Sequence, residues 1–212
     1  MGKIRTLNEL DELLDRELSW RRKELINLKL LHDDARSHHA TMLRRAGVAL
    51  LYAHWEGFVK KAGIAFVNFV SQQRLTYREL KPNFVALGLK GKFAQAADSS
   101  RGQLLVGIAE FLTQRLNDRA ILPTNPVQTK SNLRADRLKD ILCVLGLDYG
   151  PYQLKGNLIE RLVDQRNNIA HGQELDVTDQ EFRDLHKEVL LMIDEFRTQI
   201  SNSAQLASYR VT

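Results

Sequence analysis

The stretch "ATMLRRAGVALLYAHWEGFVKKAGIAFVNFVSQQ", residues 40–73, constrains the fold more than any other part of the chain. Val48, Leu51, Trp55, Phe58, Val59, Ala62, Phe66 and Phe69 recur at helical spacing and make one broad apolar stripe. So wide an aromatic and aliphatic face is that of a helix packed at the centre of a bundle.

The rest of the chain supplies helices to cover it. Thr6 and Glu9 fit a capping box opening a first helix over "LNELDELLDRELSWRRKELINLKLL". Its charges pass from acidic (Glu9, Asp11, Glu12, Asp15) to basic (Arg21, Arg22, Lys23), which suits the helix dipole. "HDDARSHH" breaks this helix, so His32, Asp33 and Asp34 are expected in a loop. "YRELKPNFVALGLKGKFAQAA" and "QLLVGIAEFLTQRL" are both helical in pattern, with the turn-like "DSSRG" between them. "LPTNPVQTKSN" is a loop whose Ser131 or Asn132 caps "LRADRLKDILCVLGL", and Gly146 ends that helix. "DYGPY" is expected to be a loop leading into "QLKGNLIERLVDQRNNIAHG". Thr178 and Glu181 form a second capping box for the last helix, after which "NSAQLASYRVT" is expected to fray. The pattern predicts an all-α antiparallel helical bundle, one domain over 1–212 with a helical insertion at about 74–130.

Composition narrows the function classes. At 43% apolar and 27% charged residues the chain is an ordinary globular one. Its single cysteine, Cys143 in "ILCVLGL", excludes an intramolecular disulfide and is expected to be buried. The N-terminus has no apolar core of signal-peptide length and no run reaches the roughly 18 apolar residues of a membrane span, so a cytoplasmic protein without membrane contact is expected. Residues 74–139 hold 12 Lys/Arg against 5 Asp/Glu, so the positive excess of a chain with net charge +5 lies in its middle third. Such a segment is either a surface for a polyanion or a set of solvated helix faces. Neither a metal nor a cofactor is expected. His38 and His39 are adjacent and point about 100° apart on a helix, no ligand spacing surrounds them, and the glycine-rich nucleotide loops and the G-x-S-x-G pattern are all missing.

One stretch does not fit a purely structural helix: "DQRNNIAHGQ", residues 164–173. On a wheel with Leu154 as origin, Leu158, Ile169, Leu162, Ile159, Ala170 and Val163 fall between about 40° and 180°, and Arg166 falls inside that arc at about 120°. A guanidinium keeps its charge and is rarely buried without a partner. Arg166 must therefore meet a carboxylate (Asp164 or Glu56), a chain of acceptors, or an anion that arrives as ligand. His171 falls at about 260°, near Asn167 at about 220° and about 140° from Arg166. It is either a dipole-stabilised helix end or half of a site completed by a loosened helix end or a second copy of the chain.

"RNNIAH" is an R-x4-H motif at the end of the penultimate helix, with a polar residue following the arginine. With "LLYAHWEGFVKKA" in the second helix and "SNLRADRLKDILCVLGLD" before the motif helix, it resembles the HEPN superfamily of small helical ribonucleases. The likeness is to the MAE-type and RiboL-PSP-HEPN-like nucleases of bacterial toxin–antitoxin and defence loci, and it covers roughly residues 38–73 and 131–200. Residues 74–130 match nothing specific. The resemblance implies a HEPN-like bundle, metal-independent endonucleolytic cleavage of single-stranded or looped RNA by 2′-hydroxyl attack, and a two-fold homodimer that shares one cleft. A cognate antitoxin or a defence-complex protein is an implied partner.

The residue types suit that chemistry. An imidazole with a reference pKa near 6.5 exchanges protons at cellular pH, which casts His171 as general base or acid. Arg166 presents a rigid fork of donors for phosphoryl oxygens, and Asn167 could orient the imidazole or the phosphate. Glu56 joins the expected catalytic set, holding Arg166 or fixing the tautomer of His171; its plainer reading is a surface pair with Lys60. Tyr52 and Lys60 are expected on the substrate, although a tyrosine at that position is also a natural core residue. The competing reading is a non-catalytic helical module that binds RNA, nucleotide or protein in the same cleft, and a third is a purely structural dimer.

Overall fold

Where the rings of the long central helix point decides how the other helices meet it. The structure is a computed structural model describing residues 2–94, 101–129 and 132–211. In chain order it holds α1 (Leu7–Asp33), α2 (Ser37–Gln72), a 3-10 turn (Tyr77–Glu79), α3 (Pro82–Ala94), α4 (Arg101–Gln114), α5 (Ala135–Leu145), the one-turn α6 (Gly150–Gln153), α7 (Gly156–Ala170) and α8 (Asp179–Gln205). The all-α fold is as expected.

Side-chain contacts fix the directions. Phe58 and Trp55 of α2 meet Phe196 of α8, and Gly47 lies under Phe182, so α2 and α8 run parallel. α1 is antiparallel to α8, because His186 reaches the Leu25 carbonyl while Arg197 reaches Asp15. α7 is antiparallel to α2, since Arg166 meets Tyr52 and Ile169 lies beside Met42. The four long helices thus form an up-down-up-down bundle with α2 packed against the other three. Gly47 leaves room for α8: a Cβ there would stand 2.5 Å from the Phe182 ring.

Both capping boxes form, at Thr6–Glu9 and Thr178–Glu181, and Gly146 takes the left-handed conformation after α5. Other expectations need correction, each for a tertiary reason. α5 starts at Ala135 rather than Leu133, and Arg134 rather than Asn132 is its N-cap. The Ala135 N–H donates instead to Glu160 of α7 at 2.8 Å, while Ser131 lies outside the described residues. In "DYGPY", Pro151 helps to start α6, which turns Tyr152 into the core beside Trp55. The chain then breaks at Leu154, 97% exposed, so the motif helix begins only at Gly156.

His32 is not in a loop but in the last turn of α1, buried against Phe182. Cys143 is exposed, on the side of α5 away from Leu138, Ile141, Leu142 and Leu145. The C-terminal stretch does not fray. Tyr209 is buried among Phe66, Phe69 and Phe84, and the backbone at Tyr209 and Val211 bonds to Lys81 and Glu79. Of the turn-like "DSSRG", residues 98–100 lie outside the described residues, as do 95–97 at the end of the preceding predicted helix.

Two buried histidines make the bundle sensitive to acid. Burial lowers the pKa of His54 and outweighs Glu24, whose carboxylate is 2.8 Å from Nε2; Arg21 adds to the lowering. His186 is lowered in the same way, with burial outweighing the bond to the Leu25 carbonyl at 2.9 Å. A folded pKa below the unfolded value of about 6.5 means that the unfolded chain takes up these protons first. The contribution is complete above that value and is lost as pH falls through the folded values. The urea midpoint is therefore expected to fall between pH 7.5 and 5.5, and less steeply in His186→Gln. A midpoint that holds or rises on acidification would contradict this.

Candidate functional site

Arg166 sits on the face of α7 that packs against α2, between buried Val163 and half-buried Ile169. A second arginine in the bundle shows the usual solution to that problem. Arg21, buried in α1, pairs with Glu17 at 2.6 Å, bonds the Glu17 carbonyl at 2.7 Å and lies over the Trp20 ring. Burial pushes the Glu17 carboxyl up, and Arg21 more than reverses this to leave it lowered.

Arg166 is treated differently. Among the described residues no carboxylate pairs with it. Asp164, one expected mate, is taken by Arg134 at 2.7 Å, and Arg134 also pairs with Glu160. Instead the Arg166 guanidinium lies 4.3 Å from the centre of the Tyr52 ring and donates to the Asn167 Oδ1 at 2.8 Å. The stack satisfies the cation's apolar side through the ring quadrupole. It leaves most of the five N–H donors unused, on a half-buried residue.

Tyr52 is therefore a platform. It is 1% exposed, and its hydroxyl accepts the Leu133 N–H at 2.8 Å, which ties α2 to the start of α5. Arg166 and the core cover the ring. Burial raises the phenol's pKa; the Leu133 N–H opposes this, while Glu56 raises it and Arg166 lowers it. Glu56, half-buried, thus joins Tyr52 and Arg166 in one electrostatic group. Lys60 is exposed one turn further along α2, and among the described residues no ion pair joins it to Glu56.

His171 is the C-cap of α7 and is exposed. Gly172 follows at φ 72°, and the N–H groups of Gly172 and Gln173 donate to the carbonyls of Ile169 and Asn168 at 3.1 and 2.9 Å. This is a Schellman closure, and it needs a residue comfortable at positive φ. The helix therefore keeps its regular form to the end, and the angle between Arg166 and His171 stays near the ~140° set by their spacing. The structure brings Arg166, Asn167, Tyr52 and Glu56 together, and places His171 one turn beyond Asn167, whose carbonyl accepts the His171 N–H at 3.0 Å.

Two residues escaped the sequence reading. Arg44 and Arg45 of α2 donate to the carbonyls of Val177 (2.5 Å) and Gln173 (2.8 Å), clamping both ends of the loop between the motif and α8. The only signal was an "RR" pair ahead of the apolar stripe. The basic middle segment reaches the motif helix through α5, which packs on α7 and carries α3 on another side. There Arg134 and Arg137 are already paired, with Glu160 and Asp164 and with Asp140.

A family model described as RiboL-PSP-HEPN matches residues 16–202. No curated protein and no solved structure matches the chain. Among the described residues no helix is long and apolar enough to cross a membrane, and no three His, Cys, Asp or Glu side chains are grouped to hold a metal ion.

The stack on Tyr52 makes a stability prediction. Tyr52→Phe keeps the ring under Arg166 but strands the Leu133 N–H, at an expected cost of about 1–3 kcal/mol. Tyr52→Leu removes the stack as well. A double-mutant cycle with Arg166→Ala should give a coupling of about 0.5–2 kcal/mol for Tyr52→Leu. Additive losses by urea denaturation would show that the ring does not hold the guanidinium.

Proposed function

This chain belongs to the RiboL-PSP-HEPN family, and on that premise we propose that it is a metal-independent RNA endonuclease working through Arg166 and His171 in a cleft shared by two copies. HEPN domains are associated with ribonuclease activity and with RNA binding. The observation that carries this reading is the state of Arg166: a cation held in place by an aromatic ring and an amide, with no carboxylate paired to it among the described residues. A guanidinium so held presents its remaining donors to an anion, which for RNA is a phosphate.

In the proposed reaction the 2′-oxygen attacks the adjacent phosphorus as the P–O5′ bond breaks. His171 takes the 2′-hydroxyl proton, and the 5′-oxygen takes a proton from solvent water as it leaves. The products are a 2′,3′-cyclic phosphate and a 5′-hydroxyl. Arg166 stabilises the charge that grows on the non-bridging oxygens, and Asn167 and Tyr52 keep its fork aimed. Glu56 sets the potential around that pair. In-line attack needs a backbone free to bend, which favours single-stranded or looped RNA. Because Arg166 and His171 of one chain diverge along α7, the His171 that serves a given Arg166 comes from a second copy. An isologous dimer meets that requirement. A role as a toxin or defence effector, held in check by an antitoxin or a larger complex, accords with such an activity.

One observation favours the competing reading of a binding module: among the described residues nothing orients the His171 ring. The test separates the two. In the presence of EDTA, wild-type protein should cut single-stranded RNA and leave cyclic phosphate ends. His171→Ala should fall by roughly 10²–10⁴-fold and Arg166→Ala by a similar or greater factor, with both variants folded. RNA that is bound but never cut by the wild type would establish the binding module instead.

A further inference from the structure

Beside the motif, the first turns of α2 and the end of α7 enclose a groove of about 440 Å³ lined by His38, Thr41, Met42, Arg45, Ala46 and Ile169. We infer that this groove holds one unstacked nucleotide of the RNA strand next to the phosphate engaged at Arg166 and His171; the inference rests on the reading proposed above.

Three features of the groove point that way. Its volume falls within the roughly 300–1,000 Å³ of small-ligand sites. Its walls divide by chemistry, with Met42, Ala46 and Ile169 offering an apolar surface for the face of a base and His38, Thr41 and Arg45 offering polar groups for sugar and phosphate. Met42 is 60% exposed, so its flexible, polarizable thioether is open to an occupant of the groove. No carboxylate lines the groove, so its charge suits a polyanion.

The position is equally telling. Ile169 is inside "RNNIAH", three residues after Arg166 and two before His171, so an occupant of the groove is continuous with the candidate site. Arg45 is held at one nitrogen by the Gln173 carbonyl, which orients the guanidinium and leaves further donors for a ligand. His38 is exposed at the rim, its ring 4.0 Å from that of His39. A second copy of the chain is the less suitable occupant. Two-fold self-contact here would set His38 and Arg45 against their own counterparts with no carboxylate between them.

The test uses a fluorescein-labelled 2′-O-methyl RNA dodecamer, which lacks the attacking hydroxyl, with binding read by fluorescence anisotropy. His38→Ala, Arg45→Ala and Met42→Glu should each weaken binding roughly tenfold. Arg45→Ala should also flatten the dependence of log K on log salt by about 0.7, which a merely structural role would not do. Leu206→Glu, the same added charge at the opposite end of α8, should bind as the wild type does. Because Arg45 also holds the motif loop, Met42→Glu and His38→Ala carry the decision: wild-type binding in both overturns the groove. If Met42→Glu instead breaks a dimer in sedimentation velocity, the face is a contact between copies and the inference is overturned. Wild type that cuts RNA while the groove variants match it in binding and KM sinks the groove and leaves the nuclease reading standing. Wild type that neither cuts nor binds RNA sinks that reading, and the groove with it.

Discussion

A guanidinium that cannot discharge itself has to be accommodated on the face by which α7 packs into the bundle, and the Tyr52 ring accommodates it. Ile159, Leu162 and Val163 draw α7 onto α2, and burying them brings Arg166 down onto the central helix. An aliphatic residue at position 52 would leave the cation over bare hydrocarbon, and a carboxylate would neutralise it, as Glu17 does for Arg21. The ring does neither. It lets α7 pack while the charge stays available, at 4.3 Å from the ring centre and with one amide oxygen as partner. Placement of the site and integrity of the core therefore depend on one contact.

That contact is reinforced from both sides. The Tyr52 hydroxyl takes the Leu133 N–H, so the ring is pinned by the segment entering α5. Glu160 and Asp164, on the same helix as Arg166, are drawn off by Arg134. One ion-pair network thereby engages both carboxylates of the motif helix away from its arginine. At the far end, Arg44 and Arg45 fasten the loop that follows His171. His32 lies within 3.3 Å of Asp33 and Asp179, and Arg183 bridges the same two carboxylates, joining the end of α1 to the start of α8. The backbone on both sides of the motif is thus tied to α2, α5 and α8.

Much of this was legible in the chain. Helix starts at Thr6 and Thr178 and the stop at Gly146 carry their own signals, because caps are local hydrogen-bond problems with local answers. The conflict at Arg166 was legible too, since the angle between two residues of one helix depends only on their spacing. What stayed hidden was long-range. Nothing near Asp164 reveals that Arg134, thirty residues away, will claim it. Nothing in "DYGPY" shows that Tyr152 must turn inward to meet Trp55, or in the last residues that Tyr209 fills a gap between Phe66 and Phe84. Nor does anything around Tyr52 show that the cation over its ring comes from over a hundred positions further on.

In the proposed mechanism the divergence of Arg166 and His171 along α7 makes one chain half a site. Mixing the two inactive variants tests it directly. In a dimer of one Arg166→Ala chain and one His171→Ala chain, a shared site retains one intact pairing, the arginine of the second chain with the histidine of the first. Co-refolding equal amounts should therefore restore RNA cleavage to about a quarter of the wild-type level, since half of randomly paired dimers are mixed and each has one of two sites. Mixtures that stay as inactive as their parents, although mixed dimers have formed, would contradict the account and place the arginine and the histidine of each working site in a single chain.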